Sequence, residues 1–285
     1  DMKRINIPFP DKEQKELISN YLDNKVKEID NIISKTQETI EEYKKYRQSV
    51  ITEAVTKGIN PNVEMKDSGI EWIGEIPKNW KVKPLRYLGT LQNGISKSGE
   101  FFGQGYPFLT YSDVYKNKSV PKVLGGKLDT NLDERNRYSV LEGDVFFTRT
   151  SETIEEVGFA CTCLETVENA TFAGFLIRLR LFDNSLYKNY SKYYFSSNIH
   201  RKFFVKQMNL VTRASLGQEL LKKLPVLIPT IEEQISISNI LDKKCTEIDN
   251  LVIKKQELIT QLETYNKSLI YECVTGKKEV LAYAY

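Results

Sequence analysis

Residues 10–56 return at residues 229–275. The two stretches align at a constant offset of 219 without a gap, and 22 of the 47 aligned positions are identical. The matches include Ile18/Ile237, Ser19/Ser238, Asn20/Asn239, Leu22/Leu241 and Asp23/Asp242. The block Glu28-Ile29-Asp30-Asn31 recurs as Glu247-Ile248-Asp249-Asn250. Any architecture for this chain must give two equivalent places to two equivalent segments, which removes most fold classes at once.

Each copy reads as one long helix. Ile29, Ile33, Thr36, Ile40, Tyr43, Arg47, Val50 and Ala54 are spaced alternately by four and three, the heptad seam of a coiled coil. The second copy gives Ile248, Val252, Lys255, Ile259, Leu262, Asn266, Leu269 and Cys273. The apolar members Ile29, Ile33, Ile40, Tyr43 and Val50 are expected to pack against Ile248, Val252, Ile259, Leu262 and Leu269. Polar Arg47, Lys255 and Asn266 interrupt the seam, and such breaks set register and partner choice at some cost in stability. Asp11-x-x-Gln14 and Thr230-x-x-Glu233 are capping boxes at equivalent places. Pro10 and Pro229 bar earlier helix, while Gly58 and Gly276 mark the ends. About 45 residues make a rod of roughly 65–70 Å. Neither helix buries its seam alone, so mutual antiparallel packing is expected.

Between the helices the periodicity changes. Strand-like runs cover Tyr106 to Tyr111, Asp144 to Thr148, Gly158 to Cys163 and Phe175 to Phe182. In the last run Arg178 and Arg180 share one face, and Ile177, Leu179 and Leu181 the other. Tyr187 to Lys206 reads as helix. The expected fold class is α+β: a mixed α/β domain at 59–228, flanked by long helices at 11–58 and 229–276, with short segments at 1–10 and 277–285. Trp72 and Trp80 are expected to pin the domain onto a helix end, since large aromatics dominate core energetics.

Composition narrows the function. Hydrophobic residues make up 40% of the chain, which argues for a packed core over disorder. Charged residues make up 28%, yet the net charge is only +3, so any basic face must come from local clustering. No run of 18 apolar residues and no export-type start is present, and a cytoplasmic protein without a membrane partner is expected. Cys161 and Cys163 form C-x-C, and Cys245 and Cys273 stand alone, so reduced thiols and no metal are expected. His200, in Ser-Asn-Ile-His-Arg-Lys, reads as a surface histidine with no nucleophile to serve. Pro10-Asp11 and Glu13-Gln14-Lys15 spell a nuclease-like PD and ExK, but they are contiguous at a helix start, where Asp11 is explained as a cap. No glycine-rich nucleotide loop and no Asn-Pro-Pro-Tyr-like methyltransferase motif occurs. Neither catalysis nor a cofactor is expected.

The segment D-S-G-I-E-W-I-G-E-I-P-K-N-W (67–80) resembles the start of a target-recognition domain in type I restriction-modification specificity subunits, the HsdS family. Gly94-Ile95-Ser96-Lys97-Ser98-Gly99-Glu100-Phe101-Phe102 and Gly143-Asp144-Val145-Phe146-Phe147-Thr148-Arg149-Thr150 continue the likeness. So does Leu224-Pro225-x-x-Ile228-Pro229 followed by Glu232-Glu233-Gln234. The resemblance covers essentially the whole chain. It implies a non-catalytic subunit whose recognition domain reads one half of a split site in double-stranded DNA. The helices would act as a ruler for half-site spacing. Methyltransferase (modification) subunits would dock on it, and restriction subunits through them. The family alternates two such domains with two helices, whereas this chain runs helix, domain, helix. Arg4 to Pro10 resembles only the tail of a preceding domain. The chain is then either a fragment or a shortened half subunit, two copies of which would form a homodimer reading a palindromic split site.

Base-edge readers in the major groove are typically Arg, Lys, Asn, Gln, Ser and Thr. Four clusters qualify: Ser96, Lys97 and Ser98; Tyr111, Ser112, Tyr115, Lys116, Asn117 and Lys118; Thr148, Arg149, Thr150 and Ser151; and Thr212, Arg213 and Ser215. The competing reading is a coiled-coil interaction scaffold without sequence-specific DNA binding. Salt-sensitive, sequence-selective binding separates the two.

Overall fold

The computed structural model describes residues 8–151, 157–207 and 214–280. The chain opens with helix α1 (Lys12–Lys57), followed by strands β1 (Met65–Asp67), β2 (Glu75–Pro77), β3 (Lys81–Pro84), β4 (Gly89–Asn93) and β5 (Phe102–Leu109). Then come α2 (Tyr111–Lys116), β6 (Gly126–Leu128), α3 (Leu132–Arg137), β7 (Val145–Thr148), β8 (Thr150–Ser151), β9 (Ala160–Thr162), β10 (Thr171–Phe172) and β11 (Leu176–Leu181). The chain continues through α4 (Lys188–Ser196), α5 (Arg201–Gln207), β12 (Ala214–Ser215), α6 (Gln218–Leu221), β13 (Pro225–Ile228) and α7 (Ile231–Val274). It divides into two compact units, one of the described residues up to Arg47 with those from Lys244 on, the other from Gln48 to Lys243.

The first unit is an antiparallel pair made of most of α1 and α7. Ile18, Tyr21, Leu22, Ile29 and Ile33 gather with Leu262, Leu269, Cys273 and Val280, so the start of one helix lies against the end of the other. At the far end Arg47 Nε lies 3.0 Å from Asp249 Oδ1. Ile29, Thr36, Ile40, Ile248, Ile259, Leu269 and Cys273 are buried. Ile33, Tyr43, Val252 and Leu262 are half-buried, as are the polar seam residues Arg47, Lys255 and Asn266. Asp11 caps α1 by accepting the Gln14 N–H at 2.8 Å.

The second unit holds the last turns of α1, the first turns of α7 and everything between. Val50 is half-buried, Ala54 is buried, and Ile51 and Val55 are fully buried. Gln234, Ile237, Ser238 and Leu241 of α7 are likewise buried. Two sheets form the scaffold: four strands in the order β4-β11-β7-β9, all antiparallel, and three in the order β10-β5-β6. Their shared core includes Leu109, Leu128, Phe146, Phe172 and Leu176, with Phe146 and Phe172 edge to face at 5.1 Å. Arg178 and Arg180 do share one face of β11, but that face is covered. Arg178 Nη1 donates to Ser139 O at 2.7 Å, and Arg180 grips Asp144 with two hydrogen bonds of 2.8 and 2.7 Å. Burial pulls the Arg178 guanidinium down to about 10.

Both tryptophans are in this unit. Trp80 is fully buried, and its Nε1 donates to Glu233 Oε1 at 3.4 Å. Glu233 also closes the α7 capping box with Thr230. Gly58, at φ +76, ends α1 in a left-handed conformation, and a Cβ there would sit 3.4 Å from the Trp80 ring. Trp72 is half-buried and its ring lies 6.0 Å from Phe203.

His200 departs from expectation. It is not on the surface: it is 4% exposed, with the Tyr194 ring at 4.9 Å. The hydrophilic letters around it hide a 3-10 turn, Asn198–His200, that swings the imidazole under α4 and splits the expected Tyr187–Lys206 helix in two. Burial, with Arg201 adding to it, lowers its pKa to about 3, so it is neutral at physiological pH.

Candidate nucleic-acid interface

One end of the four-stranded sheet collects most of the expected readers. The last residue of β7 pairs with the first of β11, Thr148 with Leu176, and β4 ends beside them with Asn93 opposite Ile177. The chain therefore leaves β4 and β7, and enters β11, at one edge. Arg149 is held there by its backbone, its N–H donating to Phe175 O at 2.9 Å and its C=O accepting from Leu216 N at 2.7 Å. Thr150 pairs with Ser215, and Ser151 with Ala214. Glycine is required at Gly94 and Gly174 for close approach. A Cβ on Gly94 would collide with the Ala173 and Phe172 carbonyls, and one on Gly174 with the Ser96 hydroxyl.

The α2 cluster joins the same place. Thr110 and Asp113 form a capping box that starts α2, with Asp113 Oδ2 accepting the Thr110 N–H at 2.9 Å. Tyr111 follows directly, and its hydroxyl donates to Thr150 O at 2.9 Å. The Tyr111 and Tyr115 rings stack at 6.0 Å, and Tyr115 meets Phe159 edge to face at 5.2 Å. Ser112, Lys116 and Asn117 are exposed, and Lys118 is half-buried. Asn117 Nδ2 donates to Asp113 O at 2.8 Å.

Two expected readers take other roles. Thr148 is fully buried within the sheet, where its hydroxyl accepts the Phe159 N–H at 2.9 Å, leaving no surface from which to touch a base. Lys97 is 17% exposed and acts as a strut. Its ammonium donates to Glu134 Oε2 at 2.7 Å and Asp129 O at 2.8 Å. That bond holds the Glu134 carboxyl below the usual carboxylate range. Its neighbours Ser96 and Ser98 are exposed, with Ser98 Oγ 2.8 Å from Glu100. Ser215 is exposed, Arg149 and Thr150 are half-buried, and Thr212 and Arg213 lie outside the described residues. Sequence reasoning missed Phe175, 63% exposed at the tip between β10 and β11, and the Gln218–Asn93 amide pair at 3.0 Å. Gly174 was the available signal for the first, because a glycine before a strand marks a tip.

The strongly shifted groups lie inside the fold: burial pushes the Cys161 thiol upward, Cys163 to about 12, and the Tyr190 and Tyr194 phenols upward. All four cysteines are buried free thiols. Among the described residues no group of His, Cys, Asp and Glu is placed to hold a metal ion, and no helix is long and apolar enough to cross a membrane.

Comparison with known proteins gives one answer. The profile of the type I restriction modification DNA specificity domain matches residues 77–263, about two thirds of the chain. The type I restriction enzyme EcoKI specificity subunit of Escherichia coli strain K12 is 25% identical over 282 residues, covering 96% of this chain and 58% of the relative. The StySPI specificity subunit of Salmonella potsdam is 23% identical over 285 residues, again covering 96% and 58%. The chain thus spans little more than half the length of these relatives. The fold matches a chain from a study of complex assembly and conformational transition in the type I R-M system, at TM-score 0.72 and 16% identity, over 95% of this chain and 62% of that one. It also matches the HsdS subunit from Thermoanaerobacter tengcongensis, at TM-score 0.55 and 16% identity, over 95% and 61%. The chain belongs to the type I restriction modification DNA specificity domain family.

Proposed function

We propose that this chain is a non-catalytic, cytoplasmic DNA-reading subunit of a type I restriction-modification system. Its recognition domain reads half of a split double-stranded site, and its paired helices set the distance to the other half. Methyltransferase subunits dock on it, and restriction subunits join through them. The observation that carries the reading is the convergence of Ser96, Tyr111, Arg149, Thr150 and Ser215 on one edge of a buried sheet, in a chain of this family. Side chains held on rigid strand ends can test base edges, while phosphate contacts supply affinity.

The internal repeat supports a second recognition domain on the same ruler, supplied by a longer form of the same polypeptide or by a second copy of the chain. Ile51 and Val55 are fully buried in their unit, whereas their repeat equivalents Ile270 and Val274 are 40% and 50% exposed. Asp242 accepts hydrogen bonds from Lys192 and Tyr193, whereas its equivalent Asp23 is exposed. The copy of the docking signature left exposed here fits a second domain docked on it, from a longer form of the same polypeptide or, in a C2 homodimer, from a second copy.

The test is selection of bound duplexes from a random pool, followed by Arg149→Ala. Wild-type protein is expected to enrich a motif, and the variant to lose about 1–3 kcal/mol of discrimination at one position. An intact, folded variant with an unchanged specificity ratio would remove Arg149 from the reading set. Failure of the wild type to enrich any motif would favour the scaffold reading instead.

A further inference from the structure

The tip between β10 and β11 carries Phe175 at 63% exposure, more than Tyr115 at 39% or Phe159 at 37%. Leaving a phenyl ring in water forgoes the gain from burying its apolar surface, so its placement at the reading edge calls for a reason. The backbone that bears it is tied down on several sides. Leu176 N–H donates to Ala173 O at 2.9 Å and closes a turn around Gly174 and Phe175. Phe175 O accepts the Arg149 N–H at 2.9 Å, and Phe172 O accepts the Ile95 N–H at 2.9 Å. Gly174 presses so closely on the loop after β4 that a Cβ there would fall 2.2 Å from Ser96 Oγ. The ring therefore projects from a fixed point between the segments that carry Ser96 and Arg149.

Spacing and chemistry together say what such a ring can meet. Paired strands lie about 4.8 Å apart, and the hydrogen bond between Arg149 and Phe175 places these two residues as neighbours across that gap. Successive base pairs rise by about 3.4 Å. On a duplex lying across the strand ends, the two side chains therefore start within about two base pairs of each other. In the major groove a base edge presents hydrogen-bond donors, acceptors and one apolar group, the C5-methyl of thymine. A phenyl ring carries no hydrogen-bonding group to offer the donors and acceptors, so the methyl is the feature it matches. Phe182 supplies the contrast. It is 64% exposed, but it follows the other end of β11, roughly 20 Å along the strand from the reading edge.

We propose that Phe175 is a specificity-determining residue that packs against the C5-methyl of one thymine in the recognised half-site, within about two base pairs of the base that Arg149 reads. The inference deepens the DNA-reading function and rests on it. It names one letter of the target, a thymine, and the side chain that selects it.

The experiment takes the duplex selected by wild-type protein and replaces each thymine of the motif in turn by deoxyuridine, which lacks only the methyl. Burial of one such group is worth about fourfold in affinity, so replacement at one position should weaken wild-type binding by about that factor. Phe175→Ala should bind the thymine and uracil duplexes at that position equally. Phe175→Leu, which keeps apolar surface, should retain most of the preference, and Phe182→Ala should behave as wild type. Both positions are exposed, so the variants should fold, and the wild-type comparison of the two duplexes needs no variant at all. A motif in which no thymine methyl matters would overturn the contact, as would a methyl that matters as much to Phe175→Ala as to wild type. An affinity loss in Phe175→Ala that is equal for both duplexes would also overturn it, and would assign the ring to the sugar-phosphate backbone or to an unstacked base. If wild-type protein enriches no motif, DNA reading itself fails and the contact falls with it, an outcome distinct from a motif read without help from Phe175.

Discussion

Asp144 anchors the recognition sheet, and replacing it by asparagine should be costly. Its side chain is 1% exposed and accepts three hydrogen bonds: Arg180 Nε at 2.8 Å, Arg180 Nη2 at 2.7 Å and Leu141 N–H at 2.8 Å. The Asp144→Asn change would keep the shape, but it would turn one acceptor oxygen into a donor facing a donor and leave the Arg180 charge without its partner. Removing one member of a buried pair costs about 3–5 kcal/mol. Arg180 is 31% exposed, so water recovers part of that, and about 3 kcal/mol is expected. For a unit of this size the loss corresponds to a melting temperature roughly 6–12 °C lower. Urea unfolding followed by tryptophan fluorescence reads this directly, because Trp72 and Trp80 are the chain's only tryptophans and both lie in the same unit. The double variant Asp144→Asn, Arg180→Met should be less destabilised than Asp144→Asn alone, since no unpaired charge remains. A single variant within about 1 kcal/mol of wild type, with no coupling to Arg180, would refute the reasoning.

Three further outcomes follow from the same geometry. His200 is held neutral with a pKa of about 3, below its unfolded value, so the unfolded chain takes up a proton first as pH falls. The stability this contributes is fully present above about pH 6.5 and is lost on acidification toward about pH 3; urea midpoints between about pH 6.5 and 5 should fall in wild type and flatten in His200→Phe, and parallel slopes would argue against it. Thr148→Val should cost about 1 kcal/mol by stranding the Phe159 N–H, yet leave DNA discrimination unchanged; a lost specificity ratio in competition binding would put Thr148 back among the readers. Asn266 Oδ1 is buried without a hydrogen-bond partner among the described residues, so Asn266→Leu should raise the thermal midpoint of the helical signal, and a lower midpoint would show that the amide is needed for register.

The helices were legible because a heptad is a purely local signal: each of the sixteen seam positions read from spacing is buried or half-buried, and the capping residues Asp11 and Thr230 stand where side-chain chemistry puts them. The strand ends were harder. Residues 81–84 give no clear strand signal of their own, and β3 exists because β13, some 140 residues later, pairs with it. The same non-locality governs the site. Lys97 looked like a reader because its partner, Glu134, is 37 residues away, and no spacing rule links them. Thr148 sits in a polar-looking Thr-Arg-Thr run, but it is the last residue of a fully buried strand, so only the residues after it reach the edge. His200 was misplaced because burial there is set by Tyr194 and Phe195 packing across a turn, whereas apart from Ile199 the residues around it in sequence are hydrophilic.

The central claim is that this fold directs a chemistry it does not perform. Co-expressing the chain with its cognate methyltransferase subunit, then sequencing modified bases genome-wide, tests that claim most directly. The account predicts a split motif absent from cells carrying the methyltransferase alone, palindromic when two copies of the chain supply its halves. A stable complex that adds no new modified motif would contradict it.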